Sequence, residues 1–316
     1  MKFHYHIIIN SNAQNGRGEK LGHHFLQLLS DQNLAFTSYF TKHPGDESTL
    51  AKNLLKKTLK PYDPSAKLFP LLIVLGGDGT LSHVVDALKI HPEIPIGYIP
   101  AGSGNDFSRA AGIFSKKIPQ SFANFLTVTR PKSFPVLEVR EGGKSFQAIN
   151  SVGMGIDGAV IHQMGNGSLK KILNRFGLGD LSYFLTVLGM LRRLPDFTAE
   201  IQVDGAVQKM ERCLLLTASN HQYFGGGIRL VPVAKLPDPD LYVVILKKST
   251  GWRLAQVIWQ ALSGKHLSHP DVTLLKGQSV TIRLLDEGYG QCDGEPIGLK
   301  PFHLEISLKS RLFWIK

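Results

Sequence analysis

The sequence has little cysteine and no long apolar run. Its two cysteines, Cys213 and Cys292, lie far apart and lack CxxC spacing, which excludes a disulfide framework and a zinc knuckle. The longest apolar run, near residues 71–75, spans about eight residues, whereas a bilayer crossing needs roughly 18. No signal-peptide pattern precedes Asn10. We therefore expect a cytoplasmic protein.

Basic residues outnumber acidic residues. The 36 basic and 25 acidic residues give a net charge of +11, which predicts attraction to a nucleic acid, a nucleotide or an acidic membrane surface. The basic residues occur in scattered pairs without a basic tail, and this pattern argues against nucleic acid. Among the 12 histidines, His4 and His6 lie on one face of a predicted strand, and His23 and His24 are adjacent. Neither pair has a third ligand at metal spacing, so we interpret both pairs as structural.

Strand-like and helix-like patterns alternate over the first 110 residues. The predicted strands are 4–9, 35–40, 71–75 and 94–99, and the predicted helices are 19–30, 46–60 and 81–90. Such alternation predicts an α/β domain with a parallel sheet and helices on both faces.

The pattern changes near residue 135. Short alternating runs follow, with helix-like segments at 168–193 and 251–262, and they predict an all-β sandwich domain. The segment TRPKSFP, at 129–135, resembles a linker. We expect a nucleotide-binding α/β domain at 1–134 and a β-sandwich domain carrying the acceptor site at 135–316, with the last strand free to return to the first domain.

Polar, glycine-rich loops follow the predicted parallel strands, where ligands bind in such sheets. They are NSNAQNGRG (10–18), TKHPGD (41–46), GGDGT (76–80) and PAGSGND (100–106). In GGDGT the glycines let backbone N–H groups approach an anion, and a helix starting near Thr80 directs its positive end there. A tight turn is the alternative. Asp78 would repel phosphate unless it holds Mg²⁺, binds a ribose hydroxyl or accepts hydrogen bonds from the loop.

Two other segments carry candidate chemistry. In PAGSGND, Ser103 offers a hydroxyl, and Asn105 or Asp106 is expected to cap the next helix. In DGE, Asp293 and Glu295 flank one glycine, and two carboxylates so placed suit proton transfer or Mg²⁺ binding in phosphoryl transfer. An ordinary β-turn is the alternative for DGE.

Five segments in series resemble the diacylglycerol kinase catalytic-domain family: GGDGT, GYIPAGSGNDFSR, NSVGMGIDG, GGGIRLVPVAK and CDGEP. The chain is most similar to the bacterial soluble lipid kinases, which resemble sphingosine kinases and, more distantly, NAD kinases and phosphofructokinases. The resemblance implies an NAD kinase-like α/β domain, a β-sandwich, ATP and Mg²⁺ as cofactors, and γ-phosphate transfer to a lipid hydroxyl such as that of diacylglycerol, forming phosphatidate.

The resemblance also implies site residues. Asp293 is the candidate base and Glu295 a second active-site residue, and a structural Mg²⁺ would bind Asp238 with backbone oxygens of Lys235 and Asp240. The nucleotide-binding candidates are Asn10, Ser11, Asn12, Ala13, Gln14, Thr41, Gly76, Gly77, Asp78, Gly79, Thr80, Leu81, Ser82, His83, Gly102, Ser103, Asn105 and Asp106.

The chain departs from the family pattern at four places. Ser11 and Gln14 replace the usual proline and glycine, Ser82-His83 replaces Asn-Glu, Ser103 replaces threonine, and Asp238-Pro239 replaces Asp-Gly. The changes at Ser82-His83 and Asp238-Pro239 leave open a regulatory nucleotide- or lipid-binding protein without catalysis. The glycine loop that the distant relatives share leaves open a kinase of a soluble acceptor such as NAD.

Residues 168–194 combine apolar positions three or four apart with basic residues. This composition suits an interfacial helix that meets anionic lipid, and a core helix with a basic face is the alternative. We expect a lipid substrate at a membrane surface and peripheral contact with the anionic inner face of the membrane, without nucleic acid. The sequence does not decide between a monomer and a homodimer.

Overall fold

The computed structural model describes residues 1–115, 117–164 and 194–316. Two compact units are present: Met1–Val136 with Lys309–Lys316, and Leu137–Leu308. The chain leaves the first unit within strand β5 (Lys132–Glu141) and returns within strand β17 (His303–Trp314). The linker predicted at TRPKSFP is wrong, because strand β5 already begins at Lys132 inside that segment.

The first unit contains a parallel sheet. Its strands are β1 (Lys2–Ile9), β2 (Phe36–Phe40), β3 (Leu68–Gly76) and β4 (Ile96–Pro100). They lie in the order β4-β3-β1-β2, and the end of β17 pairs with β4 in the parallel sense. The centre of β3 is fully buried, which explains its continuous apolar run, because both faces of a parallel sheet are covered.

The helices of the first unit fall between these strands. They are α1 (Ala13–Gly16), α2 (Gly18–Asp31), α3 (Asp46–Lys57), α4 (Asp78–Ala87), α5 (Asp106–Ala110) and α6 (Ile118–Leu126). Helix α4 begins before the predicted Leu81, because Gly77 takes an extended N-cap conformation and the backbone turns into the helix immediately after it.

A buried arginine holds the C-terminal end of α4. The Arg311 guanidinium donates hydrogen bonds to the carbonyl oxygens of Leu88 at 2.6 Å, His91 at 3.2 Å and Val85 at 3.5 Å. Burial lowers the pKa of Arg311 to about 10, so the group stays charged at neutral pH. A cation at this end complements the helix dipole. It adds a charged donor to carbonyl groups that also accept the backbone N–H groups of Leu88, His91 and Ile94.

The second unit contains mainly antiparallel strands. They are β6 (Lys144–Ala148), β7 (Ser151–Gly155), β8 (Phe197–Val203), β9 (Ala206–Ser219), β10 (Tyr223–Phe224), β11 (Ile228–Arg229), β12 (Leu241–Lys247), β13 (Val272–Gly277), β14 (Ser279–Leu284), β15 (Gly288–Cys292) and β16 (Glu295–Lys300). The main path runs β16-β15-β7-β9-β8-β14-β17, and β12 pairs with both β9 and β13.

Strand β9 organises this unit. Its first half pairs with β8, from Ala206 to Cys213, and its second half lies between β7 and β12. Irregular pairing near Phe197 and near Leu246 marks the change of partner, since bulges bend a strand and increase its twist. One 14-residue strand therefore joins two groups of strands.

Two helices of the second unit are described, α7 (Ile156–Met164) and α8 (Gly251–Leu262). The helix predicted at 168–193 lies outside the described residues. Among the helices that are described, none is both long and apolar enough to cross a membrane.

We expect Arg311→Met to destabilise the first unit by about 3 kcal/mol, because it removes three hydrogen bonds between a charged donor and the end of α4. Hydrogen exchange of the β3 amides in the full chain measures this loss. The control is Lys309→Met, an exposed site on the same strand. Equal exchange rates in the two variants would contradict the role assigned to Arg311.

Candidate functional site

The loops after the four parallel strands contact one another at the carboxyl edge of the sheet. The Asn10 side-chain amide donates to Thr80 Oγ1 at 2.7 Å, and Asn10 Oδ1 accepts from the Asn12 N–H at 2.9 Å. The Ser11 hydroxyl donates to the Thr41 carbonyl oxygen at 2.8 Å. Candidate residues from the first three loops are therefore brought together.

Gln14 extends this contact to the fourth loop. Its side-chain amide donates to the Gly102 carbonyl oxygen at 3.3 Å. The Gln14 backbone has φ of 52°, a left-handed conformation that favours glycine. This conformation accounts for the glycine in the family pattern, and the glutamine here adds a bond between loops at some cost in backbone strain.

The three glycines of GGDGT have different surroundings. A Cβ on Gly76 would lie 2.7 Å from the Thr80 side chain, and a Cβ on Gly102 would lie 2.4 Å from the Gly77 Cα. A Cβ on Gly79 would meet no atom of the protein within 4 Å. A Cβ on Gly77 would lie 3.2 Å from the Gly102 Cα. Close packing therefore accounts for Gly76 and Gly77, whereas the Cβ position of Gly79 faces open space.

Asp78 joins the third loop to the fourth. Its carboxylate accepts hydrogen bonds from the N–H groups of Asp106 at 2.8 Å and Phe107 at 3.3 Å, the last of the three roles that the sequence left open for it. Asn105 is the N-cap residue of α5, as expected, but its side chain makes no capping bond. Asn105 instead bonds back to both the N–H and the carbonyl of Gly102.

The N-terminal end of α4 adjoins the space at Gly79. Its N-cap residue, Gly77, has no side chain to satisfy the first N–H groups of the helix, and the Asp78 carboxylate is directed to α5. A helix end of this kind attracts a phosphate group. Burial, and to a smaller extent the charges of Asp78 and Asp106, raises the pKa of Tyr98 well above 10. The Tyr98 hydroxyl therefore keeps its proton and donates to the Gly76 carbonyl at 3.3 Å.

Three other candidate residues differ in the exposure of their side chains. The Leu81 side chain is completely buried, so the predicted contact of Leu81 with a nucleotide is restricted to its main chain. Ser82 is also buried, whereas Ser103 is exposed. The hydroxyl predicted for the fourth loop is therefore accessible.

His83, one of the departures from the family pattern, is bonded to a carboxylate. Its Nδ1 atom contacts Glu47 Oε1 at 2.5 Å, and the Ser48 hydroxyl donates to the His83 carbonyl at 3.2 Å. Glu47 belongs to α3 and is buried. Where the family pattern has glutamate, this chain places an imidazole and supplies the carboxylate from the neighbouring helix.

In the second unit, Asp293 is held by the main chain. Its carboxylate accepts hydrogen bonds from the N–H groups of Ile149 at 2.7 Å, Asn150 at 2.8 Å and Ser151 at 2.9 Å. A carboxylate has about four lone-pair sites, so most are used here. This geometry gives Asp293 a positioning role, and its predicted role as a base stays a prediction.

A buried histidine supports the same turn. His221 Nδ1 accepts from the Tyr223 N–H at 3.2 Å, so Nε2 carries the proton and donates to Asn150 Oδ1 at 2.9 Å. Burial lowers the pKa of His221 to about 4, which keeps it neutral at pH 7. These contacts give His221 a structural role beside the turn.

Gln291 connects the turn to a buried acid. Its amide nitrogen donates to Asp157 Oδ2 at 3.1 Å, and its Oε1 accepts from the Gly294 N–H at 2.9 Å. The Thr217 hydroxyl also donates to Asp157, at 3.1 Å. Burial raises the pKa of Asp157 from 3.8 to about 6. The DGE turn therefore rests on a polar network inside the second unit.

The residues predicted to bind a structural Mg²⁺ lie near a lysine. The Asp240 carboxylate lies 2.9 Å from Lys276 Nζ, and the Lys235 carbonyl accepts from the Asp238 N–H at 3.0 Å. The bond to Asp240 raises the pKa of Lys276, and the Asp238 charge adds to this effect. The predicted ligands are the Asp238 side chain and the backbone oxygens of Lys235 and Asp240, and their binding of Mg²⁺ stays a prediction.

Several network residues escaped sequence reasoning. Asn150 and Asp157 lie in NSVGMGIDG, a segment that the sequence marked without assigning roles, and Gln291 stands two positions before Asp293. Glu47 lies beyond the loop at 41–46 and gave no signal. Their partners are distant in sequence, so spacing alone could not identify them.

Two protein-family models match the chain. Residues 4–137 match the diacylglycerol kinase catalytic domain, and residues 150–310 match the YegS C-terminal NAD kinase beta sandwich-like domain. These matches confirm the predicted α/β and β-sandwich fold classes.

Individual proteins named diacylglycerol kinase are similar to this chain over most of its length. A diacylglycerol kinase of Bacillus subtilis (strain 168) is 29% identical over 277 residues, covering 87% of this chain and 84% of the relative. One of Staphylococcus carnosus (strain TM300) is 28% identical over 280 residues, covering 87% and 83%. A crystal structure of a diacylglycerol kinase from Bacillus anthracis str. Sterne has a TM-score of 0.66 at 20% identity and covers 100% of this chain and 97% of that one. The last likeness concerns the fold alone.

The buried Asp157 predicts a pH dependence of stability. Because its pKa rises from 3.8 to about 6, the folded chain keeps a proton in this window that the unfolded chain releases. Its contribution to the free energy of unfolding therefore falls as pH rises from about 4 to about 6, by about 3 kcal/mol in total.

Urea unfolding of the wild-type chain and of Asp157→Asn between pH 4 and pH 7 measures this contribution as a difference between the two proteins. His221 titrates in the same window with the opposite sign, because its pKa is lowered. It is present in both proteins, so its effect cancels. Parallel pH profiles for the two chains would contradict the burial assigned to Asp157.

Proposed function

The chain belongs to the diacylglycerol kinase catalytic-domain family, and on that premise we propose that it transfers the γ-phosphate of ATP to the hydroxyl of a lipid such as diacylglycerol. Family membership supports a kinase. The lipid acceptor is the substrate class that the names of the relatives indicate.

The observation that carries the nucleotide part of this proposal is the space beside Gly79. A Cβ there would meet nothing within 4 Å, although Gly77 in the same loop is closely packed. The space lies at the N-terminal end of α4, where the backbone attracts phosphate. Asn10 bonds to Thr80 in the first turn of this helix, and the adjacent Ser11 bonds to Thr41. The Ser103 hydroxyl of the fourth loop is exposed.

Phosphoryl transfer needs charge neutralisation and a group that accepts the hydroxyl proton. Mg²⁺ bound to the nucleotide phosphates would neutralise the charge that develops during transfer. Between the two carboxylates of the DGE turn, Asp293 is held by three main-chain donors. We assign Asp293 to holding the turn and Glu295, half-buried at the start of β16, to accepting the proton.

An acceptor panel with radiolabelled ATP tests the proposal. We expect label transfer to diacylglycerol or sphingoid vesicles and little transfer to NAD. Glu295→Gln should lower kcat by about 10² to 10⁴ without changing the melting temperature. Asp293→Asn should lower stability and activity together, because an amide cannot accept all three main-chain bonds.

Other results would overturn parts of this assignment. Turnover that follows NAD concentration without vesicles would replace the lipid acceptor by a soluble one. ATP binding without ADP release for any acceptor would indicate a regulatory protein. Full activity of Glu295→Gln, together with a stable but inactive Asp293→Asn, would return the role of the base to Asp293.

A pair of alanine substitutions separates nucleotide binding from folding. Gly79→Ala should leave the melting temperature unchanged or slightly higher, because alanine is favoured over glycine within a helix by about 0.5–1 kcal/mol. It should raise the Kd for ATP at least about tenfold, because the new methyl group enters the space assigned to phosphate.

Gly102→Ala is the matched variant. Its Cβ would lie 2.4 Å from the Gly77 Cα, so the two loops must separate and the melting temperature should fall. Thermal unfolding and isothermal titration with ATP provide the two measurements. An unchanged ATP affinity in Gly79→Ala would contradict the assignment of the phosphate position.

A further inference from the structure

Helix α8 of the second unit presents an exposed aromatic face. Its buried side contains Leu254 and Val257, which pack into the core of the unit. On the outward side, Trp252 and Trp259 are each 73% exposed. They lie seven residues apart, so they share one face about 10 Å apart along the axis. Because the helix already buries its other apolar side, the two exposed tryptophans indicate an interaction surface.

The apolar surface continues beyond the two tryptophans. Leu262, at the end of the helix, is 53% exposed, and Val233 is 56% exposed. Val233 lies close to this end, because Pro232 is 3.4 Å from the Cβ position of Gly264. We call Trp252, Trp259, Leu262 and Val233 the α8 ridge. Contiguous apolar surface of this kind marks an interaction site.

The sequence of α8 and its flanks carries charge of one sign. Residues 241–270 contain Lys247, Lys248, Arg253 and Lys265 and no aspartate or glutamate. Arg253 is paired with Asp271 at 2.8 Å, so the three lysines carry the net positive charge of this segment. An aromatic face on a segment of this charge complements an apolar layer beneath anionic groups.

We propose that the α8 ridge docks the protein onto an anionic lipid bilayer. Tryptophan favours the membrane–water interface, and an amphipathic helix lies there with its apolar face about 5–10 Å deep in the headgroup boundary. The basic residues then meet anionic headgroups. The inference rests on the proposed function in one respect, because a lipid acceptor has to be met at a bilayer surface.

The tryptophans supply a direct measurement. The chain has three, and Trp314, in the first unit, is only 2% exposed, so it gives a constant background. Adding phosphatidylcholine vesicles that contain phosphatidylglycerol to the full chain should shift the emission to the blue. Pure phosphatidylcholine vesicles should give a smaller shift, and added salt should reduce the anionic effect because it screens surface charge.

Variants test the ridge by vesicle co-sedimentation. The double variant Trp252→Ser, Trp259→Ser should lose at least about tenfold in vesicle affinity, and the pair Trp252→Phe, Trp259→Phe should recover most of it. Lys265→Glu should weaken binding to anionic vesicles only. The matched control is Ile90→Ser, which removes an isolated side chain 77% exposed in the first unit and should bind like the wild type.

Activity assays separate this inference from the proposed function. The serine pair should retain phosphorylation of a short-chain, water-soluble diacylglycerol and lose it on vesicles. Vesicle binding without any kinase activity would leave the ridge in place and overturn the function. Wild-type vesicle affinity in the serine pair would overturn the ridge. The ridge assignment would also be overturned if sedimentation velocity showed a wild-type dimer and a monomeric serine pair. The ridge would then bind a second copy of the chain.

Discussion

The close approach of two glycines is the constraint on which the candidate nucleotide site depends. The backbones of Gly77 and Gly102 come so near that a single methyl group on Gly102 would lie 2.4 Å from the opposite Cα. This contact allows the Asp78 carboxylate to reach the N–H groups of Asp106 and Phe107. The carboxylate that first seemed incompatible with phosphate therefore ties two loops together. Because it is bound to α5, the N-terminal end of α4 is left for a ligand.

A similar principle operates in the second unit, where buried polar groups fix a turn. Asp293 has φ of 48°, a conformation that costs energy for a residue other than glycine. Three main-chain hydrogen bonds to its carboxylate offset this cost. Gln291 bonds to Gly294 from the other side of the turn. Satisfied buried networks of this kind rigidify the structure around them, so the bonds to Asp293 and Gly294 help to set the position of Glu295.

The strands and loops of the first unit could be predicted from local sequence pattern. The roles of the loop side chains could not, because they depend on contacts between distant parts of the chain. Alternating periodicities located the parallel strands, because each strand and helix is specified by its own residues. The loops at 10–18, 41–46, 76–80 and 100–106 were located too, because parallel strands direct their carboxyl ends to one edge. The roles inside the loops depend on partners far away in sequence. Asp78 bonds to residues 28 and 29 positions later, and Asp293 to residues more than 140 positions earlier.

Departures from a family pattern acquire meaning from those distant partners. His83 stands where a glutamate is usual, yet Glu47 of α3 reaches its imidazole. The position therefore still has a carboxylate nearby, supplied by the neighbouring helix. In the second unit, Lys276 lies 2.9 Å from the Asp240 carboxylate and balances its charge. In both places a partner from a neighbouring element determines the electrostatic surroundings of the side chain. A departure from the family pattern therefore has to be interpreted together with the residues that contact it.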